Sequence, residues 1–417
     1  MVFTIKQTTK LFPVILLVFS LVKSADSTLS TVPPSLIYEL LALNRDIGTA
    51  AKPKYLSPAD MTVSPDNTRL FVAEQTAKQI AVIDLTNNTV IRKIKLPNEV
   101  TGLAVSQDGS KVYATCSSEI WPSGIVCEVD AAAGKVLRRI PAGHSARSPV
   151  ISPDGTTLYV CNTFNNSISV IDIAAGRETR RIPVIREPYS ARLTPDGSVL
   201  VVANSLPNEK STDSLNISCK ISLIDAVSGN VTANIPLTVG SHSVFGMAIS
   251  PDGAYAFATH LIGMFNIPAT IITNGWIHTN NVAVIDIARK KLLNDMTLDY
   301  SEEGAANPWG IDCTDDGKFL CIAHSGSNEI SIINMPAMID SASQSNDLSR
   351  KFSVLYPNTI RRRVGVSGLA PRALTIVGNK LYTAGYYSDA VEIFDISLST
   401  KKSSGQIALG PDIPLTS

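Results

Sequence analysis

Short apolar segments rich in β-branched residues recur along the chain, separated by polar turns of nearly constant spelling. The turns read Ser64-Pro65-Asp66-Asn67, Ser106-Gln107-Asp108-Gly109, Ser152-Pro153-Asp154-Gly155 and Thr194-Pro195-Asp196-Gly197. They continue as Ser250-Pro251-Asp252-Gly253, Thr314-Asp315-Asp316-Gly317 and a worn copy, Val377-Gly378-Asn379-Lys380. Pro presets one turn dihedral, Asp bonds the backbone just ahead, and Gly or Asn accepts a positive φ. Behind each turn lies a near-continuous apolar run: 70–73, 112–115, 158–161, 199–203, 255–259, 319–323 and 381–384. A further run follows, mostly ending in Ile-Asp: 80–84, 126–130, 168–172, 221–225, 282–286, 330–334 and 391–395. Runs of this kind predict strands buried on both faces. Segments such as 60–63, 102–105, 245–249 and 308–312 predict an innermost strand ahead of the turn. Basic and apolar residues alternate in 90–96, 136–141 and 178–183, as an outer strand with one edge in water would.

The turn aspartates recur at intervals of roughly 40 to 65 residues. A four-stranded propeller blade takes about 40–45 residues, and any surplus enters loops. The predicted fold is all-β: a seven-bladed β-propeller of four-stranded antiparallel blades over 55–417. Two segments compete to complete the ring, an apolar stretch at 36–43 within the 25–54 extension and a last outer strand at 406–409. Strand alternation puts the long connections 117–124, 205–220, 261–281 and 356–371 on one face, where loops on a rigid scaffold carry function. The opposite face has the tight turns and one Ser/Asp-rich insertion, 335–351, predicted as a short helix or a loop.

The first residues read as a signal peptide spanning 1–24. Lys6 and Lys10 precede an apolar run from Leu11 to Val22, too short to span a bilayer, and cleavage is expected after Ser24. The mature protein is therefore expected in a periplasm or outside the cell, free of the membrane and monomeric. Formal net charge is zero, so no basic field attracts nucleic acid. Export permits disulfides among the six cysteines, and the local pairs Cys116 with Cys127 and Cys313 with Cys321 are the candidates.

One position per blade, at the end of the second strand, is polar or small: Glu74, Cys116, Asn162, Asn204, His260, His324 and Gly385. Such residues commonly satisfy loop backbone at strand ends. His260 and His324 fall in adjacent blades, where imidazoles could share a pocket. Glu74, Asn162 and Asn204 are weak oxygen candidates for a divalent cation. His144, Arg147, Arg186, His242 and Arg372 lie in or near loops entering the innermost strands, where cations could hold an anion or a haem propionate; solvated rim charge is the plainer reading. Trp276 and Trp309 accompany the large face loops, as ligand platforms or as loop anchors. The run Arg361-Arg362-Arg363 reads as solvated. Cys-x-x-Cys-His is absent, so covalent haem attachment to this chain is not expected.

Leu158-Tyr159-Val160-Cys161-Asn162, followed by Ile168-Ser169-Val170-Ile171-Asp172, resembles the YVTN-type β-propeller repeat. Ala258-Thr259-His260-Leu261, Asn307-Pro308-Trp309-Gly310, Cys321-Ile322-Ala323-His324 and Pro371-Arg372-Ala373 are more particular. Together they resemble the propeller half of periplasmic proteins fused to a cytochrome c peroxidase-like di-haem domain. The resemblance runs from about Tyr55 to the end and includes Leu409 to Thr416, which in that family leads into the haem domain. With no haem motif here, it implies a split member or a propeller acting alone, with haem supplied only by a partner. It implies a non-catalytic module that docks a di-haem cytochrome c protein, with His260, His324, Trp309, Trp276 and Arg372 as the residues that match. A lactonase-type hydrolase at the channel mouth and an extracellular adhesive propeller are the alternatives; the first rests on fold analogy alone.

Overall fold

The computed structural model describes residues 55–117, 122–210, 212–264, 277–344, 347–349, 351, 354–355, 360–397 and 403–410. They form seven antiparallel sheets of four strands each, and in every sheet the strand order follows the chain. The first blade runs from Pro58–Val63 through Arg69–Glu74 and Gln79–Asp84 to Thr89–Lys95. The last runs from Pro371–Val377 to Gly405–Ala408. Each innermost strand contacts the innermost strand of the next blade, and the seventh contacts the first. This is a seven-bladed β-propeller.

Seven apolar clusters hold it, each at one junction between neighbouring blades. The reason is legible in the second and third strands. Arg69–Glu74 is buried at every position after the first, as is Thr157–Asn162. Both faces of such strands meet a neighbouring blade, so alternation gives way to continuous apolar sequence.

The ring closes through the C-terminal strand: Gly405–Ala408 pairs with Ala390–Asp395 and completes the last blade. Met61, Leu70 and Val72 of the first blade share one cluster with Tyr382, Val391 and Ile407 of the seventh. Asp389 accepts hydrogen bonds from the Leu56 and Ser57 amides, both at 3.0 Å. The 36–43 candidate lies outside the described residues, as do the signal peptide and the rest of 25–54.

Two loop expectations are corrected. Within 356–371, Arg361–Gly365 is the fourth strand of the sixth blade, paired with Glu329–Asn334. Within 261–281, the strands Tyr255–Gly263 and His278–Asp286 stay paired as far as Gly263 opposite His278. On the opposite face, Met335–Gln344 is an α-helix. Among the described residues no helix is long and apolar enough to cross a membrane.

Candidate functional site

The site is built at the point where the chain enters each innermost strand. Ser57, Ser145, Glu187, Asn307 and Ala370, immediately before the entry, and Ser243, just inside it, take φ between 53° and 56°. Pro follows in four blades, as Pro58, Pro188, Pro308 and Pro371; its missing N–H is tolerated at a strand's first residue. Pairing to the second strand then slips, between Pro58 and Asp60, Val100 and Gly102, Pro188 and Ser190, Pro308 and Ile311, and Pro371 and Ala373. A bulge re-aims the side chain at the slip. One residue per blade is thereby turned towards the axis: Ala59, Thr101, Arg147, Tyr189, Phe245, Trp309 and Arg372, all lining one axial cavity of about 450 Å³.

The ring is asymmetric. Blades 1 and 2 contribute small residues, and blades 3 to 7 contribute a continuous arc. Arg147 lies 3.8 Å from the Tyr189 ring centroid. Tyr189 meets Phe245 at 4.8 Å, and Phe245 stacks on Trp309 at 4.2 Å with the planes 23° apart. Arg372 closes the arc between Trp309 at 4.5 Å and Tyr386 at 3.8 Å. Further along the axis stand Asp60, Arg192 and Asp312. Asp60 accepts from the Leu103 amide at 2.8 Å and Asp312 from the Ile376 amide at 3.2 Å. Burial raises both carboxyls, that of Asp312 to about 6.

Close approach of the innermost strands makes the ring. A Cβ at Gly246 would lie 1.9 Å from the Trp309 carbonyl oxygen, and one at Gly310 would lie 2.5 Å from that of Arg372. Glycine is required at both, so that neighbouring blades can bring the arc into contact.

The expected site residues divide. Trp309 and Arg372 belong to the axial arc. Trp276 lies outside the described residues. His260 and His324 do not share a pocket: each is fully buried within its own blade. The His260 Nε2 faces Asp295 Oδ1 at 3.3 Å, and the His324 Nε2 faces Ser331 Oγ at 2.8 Å. Burial, with the Arg361 and Arg363 charges, holds His324 well below the usual imidazole range. Neither ring can touch a partner's surface. Side chains at this strand-end position point into the blade stack, one strand away from the bulged residue that faces the axis.

His242 and His144 sit on the long-loop side. The His242 Nε2 is 3.1 Å from Nδ1 of His278, a residue the sequence reading missed, and the rings lie edge to face at 5.0 Å. Burial, then the neighbouring His278, lowers His242 to about 4. His144 packs edge-on against Phe164, which is 58% exposed.

Glu74, Asn162 and Asn204 do not converge on a cation. Glu74 is paired with Lys93 and bonded by Gln79. Asn162 accepts from the Gly143 amide at 2.9 Å and donates to Ser169. Asn204 donates to the Lys220 carbonyl and to Ser222. Among the described residues no three His, Cys, Asp or Glu side chains group as metal ligands. Glu74 and His260 lie in separate blades with separate partners, Lys93 and Asp295.

The cysteine expectations also divide. All six thiols are free. Cys116 and Cys127 lie diagonally on adjacent strands with sulfurs 4.0 Å apart. Cys313 and Cys321 cannot bridge: Cys321 is opposite Asp312 and Cys313 opposite Leu320, so their side chains leave opposite faces of the sheet. The arginine run is not solvated either. Arg361 is fully buried under Tyr300, 4.4 Å from its ring centroid, and Arg363 pairs with Glu329.

No protein-family model matches the chain. The hydrazine synthase subunit beta of Kuenenia stuttgartiensis is 28% identical over 184 residues, 43% of this chain. The match spans 47% of that subunit, about half its length. A solved structure of Kuenenia stuttgartiensis hydrazine synthase superposes with a TM-score of 0.74 at 26% identity, over 84% of this chain and 98% of that one. The chain is thus a seven-bladed β-propeller similar in sequence to a hydrazine synthase beta subunit, and in fold to a chain of that enzyme.

Proposed function

We propose that this chain is an exported, non-catalytic propeller subunit that docks a haem-bearing redox partner, a di-haem cytochrome c protein, through its long-loop face. The observation that carries the reading is the similarity to a protein named as one subunit of an enzyme, with the fold matched over nearly the whole of a chain in that enzyme's structure. Motifs resembling the propeller half of di-haem fusion proteins point the same way. In this reading the haem stays on the partner, and both lie in the periplasm or outside the cell. Trp309, Arg372, His144 and His242 remain the docking candidates on this face, and His278 joins them. His260 and His324 support the blades behind it.

The test is calorimetry of the purified mature chain against di-haem cytochromes from the same cells, repeated with His278→Ala and Phe164→Ala, two changes at exposed positions. Saturable binding that these changes weaken supports docking on this face. Absence of binding at all accessible concentrations removes the redox-partner reading and brings hydrolase assays forward.

A further inference from the structure

The axial cavity holds more positive charge than its own carboxylates neutralise. Arg147, Arg192 and Arg372 line it against Asp60 and Asp312. Among the described residues none of the three arginines has a carboxylate within ion-pair distance, whereas Arg138, Arg181, Arg289 and Arg363 each do. The Nε atoms of Arg147 and Arg372 are buried without a hydrogen-bond partner. Stacking explains how the charges are held. Trp309 and Tyr386 both pack against the Arg372 guanidinium, and Tyr189 packs against that of Arg147. A stacked guanidinium keeps its in-plane N–H donors free, and a planar fork of donors matches a carboxylate.

Tyr189, Phe245 and Trp309 form an unbroken aromatic wall between the two arginines, with Ala59 and Thr101 across from it. The cavity, about 450 Å³, is within the range of small-molecule sites, roughly 300–1,000 Å³. We propose that this cavity binds a small organic carboxylate with a flat conjugated body, the carboxylate on the guanidinium edges at the ends of the arc and the body in the space between the arc and Ala59 and Thr101. The cavity shares Trp309 and Arg372 with the docking face proposed above, and it is tested on the chain alone, so failure of docking leaves this result unaffected.

The test is a titration of the full mature chain, without partner, following Trp fluorescence and heat. The probes are 1-naphthoate, cyclohexanecarboxylate as a carboxylate lacking a flat body, and inorganic phosphate. Saturable 1-naphthoate binding, at least about tenfold tighter than either comparison probe, is expected. Arg372→Gln and Trp309→Leu are each expected to weaken it by about tenfold or more, the size of one charge-assisted contact or one aromatic packing contact. Ala59→Phe fills the open side next to the blade of Arg372 and is expected to abolish binding while the thermal unfolding midpoint is kept. Absence of saturable binding by the folded chain overturns the proposal. So does equal affinity for the three probes, or naphthoate binding untouched by Ala59→Phe.

Discussion

The sulfurs of Cys116 and Cys127 stand 4.0 Å apart, buried on one face of the second blade between strands Lys111–Ser117 and Gly124–Asp130. The Cys116 thiol donates to Cys127, which lowers the Cys127 thiol and raises that of Cys116. Diagonal partners on neighbouring strands lie roughly 7–8 Å apart, at the limit for a bridge, so closing the 4.0 Å gap takes side-chain rotation together with a small strand shift. The mature chain, purified in air, is expected to carry this one disulfide. Thiol titration in denaturant should read four of the six cysteines free, and non-reducing peptide mapping should join the segments around 116 and 127. Closing so short a loop stabilises by about 2–3 kcal/mol in the chain-entropy account. A bridge at Cys313 would contradict the register, which sends that side chain away from Cys321.

Arg361 is an arginine that the fold uses as core. Its guanidinium lies under Tyr300 and donates to the Leu298 carbonyl, and the Asp299 carboxylate lies near enough to favour its charge. Arg361→Ala would leave the buried Leu298 carbonyl without its donor and a cavity under Tyr300, while Asp299 keeps the Asn280 and Ala305 donors, a loss of about 2–3 kcal/mol. Urea unfolding of Arg361→Ala against Arg289→Ala tests this. Arg289 is 76% exposed in its ion pair with Asp286, so its loss should cost under about 0.5 kcal/mol.

The blades were legible because their signals are local. Ser-x-Asp-Gly turns, apolar second strands and Ile-Asp endings each report a physical need within a few residues. Arg361-Arg362-Arg363 misled because the burial of Arg361 is set elsewhere: Tyr300 covers its guanidinium and the Leu298 carbonyl accepts from it, both more than sixty positions back in the chain. The axial arc was half legible. Trp309 and Arg372 stood out, whereas Tyr189 and Phe245 did not, although Pro188-Tyr189 repeats Pro308-Trp309 and Pro371-Arg372 at the same point of the blade. The strand-end polar position drew notice instead. By register it pairs with the residue before the bulge, as Pro308 with His324 and Pro371 with Gly385. The slip in pairing that turns the next side chain towards the axis is a three-dimensional property that no spacing rule announces.

Gly246 fixes the spacing of that arc. An added methyl would meet the Trp309 carbonyl at 1.9 Å, and backbone cannot yield as a flexible side chain can. Gly246→Ala should therefore lower the thermal midpoint strongly, by the equivalent of 3 kcal/mol or more on the scale of overpacking and strain, roughly. It should also blue-shift or broaden Trp309 emission as the Phe245 stack opens. Gly365, where a Cβ would meet nothing within 4 Å, is the control, and Gly365→Ala should be near neutral.

Asp312 gives the pH signature. Its carboxyl is raised from 3.8 to about 6, first by burial, with Asp315 adding to the rise. Arg192 and the amides of Cys313 and Ile376 pull it back. A carboxyl whose folded pKa exceeds its unfolded value binds its proton more tightly in the fold. Its contribution to stability is therefore complete below about pH 4 and is lost as pH rises through about 6. Asp312→Asn removes that titration and keeps one acceptor for the Ile376 amide. The variant should gain on the native chain between about pH 4 and pH 6 and hold a constant lead above pH 7. Thermal midpoints of both proteins from pH 3.5 to pH 8 check this, at about half-unit steps. A lead that shrinks with rising pH would mean that attraction to Arg192 outweighs the cost of burying the charge. The same proton bears on the cavity: losing it adds a negative charge to the lining, so anion affinity should fall as pH rises through about 6, and this fall should vanish in Asp312→Asn.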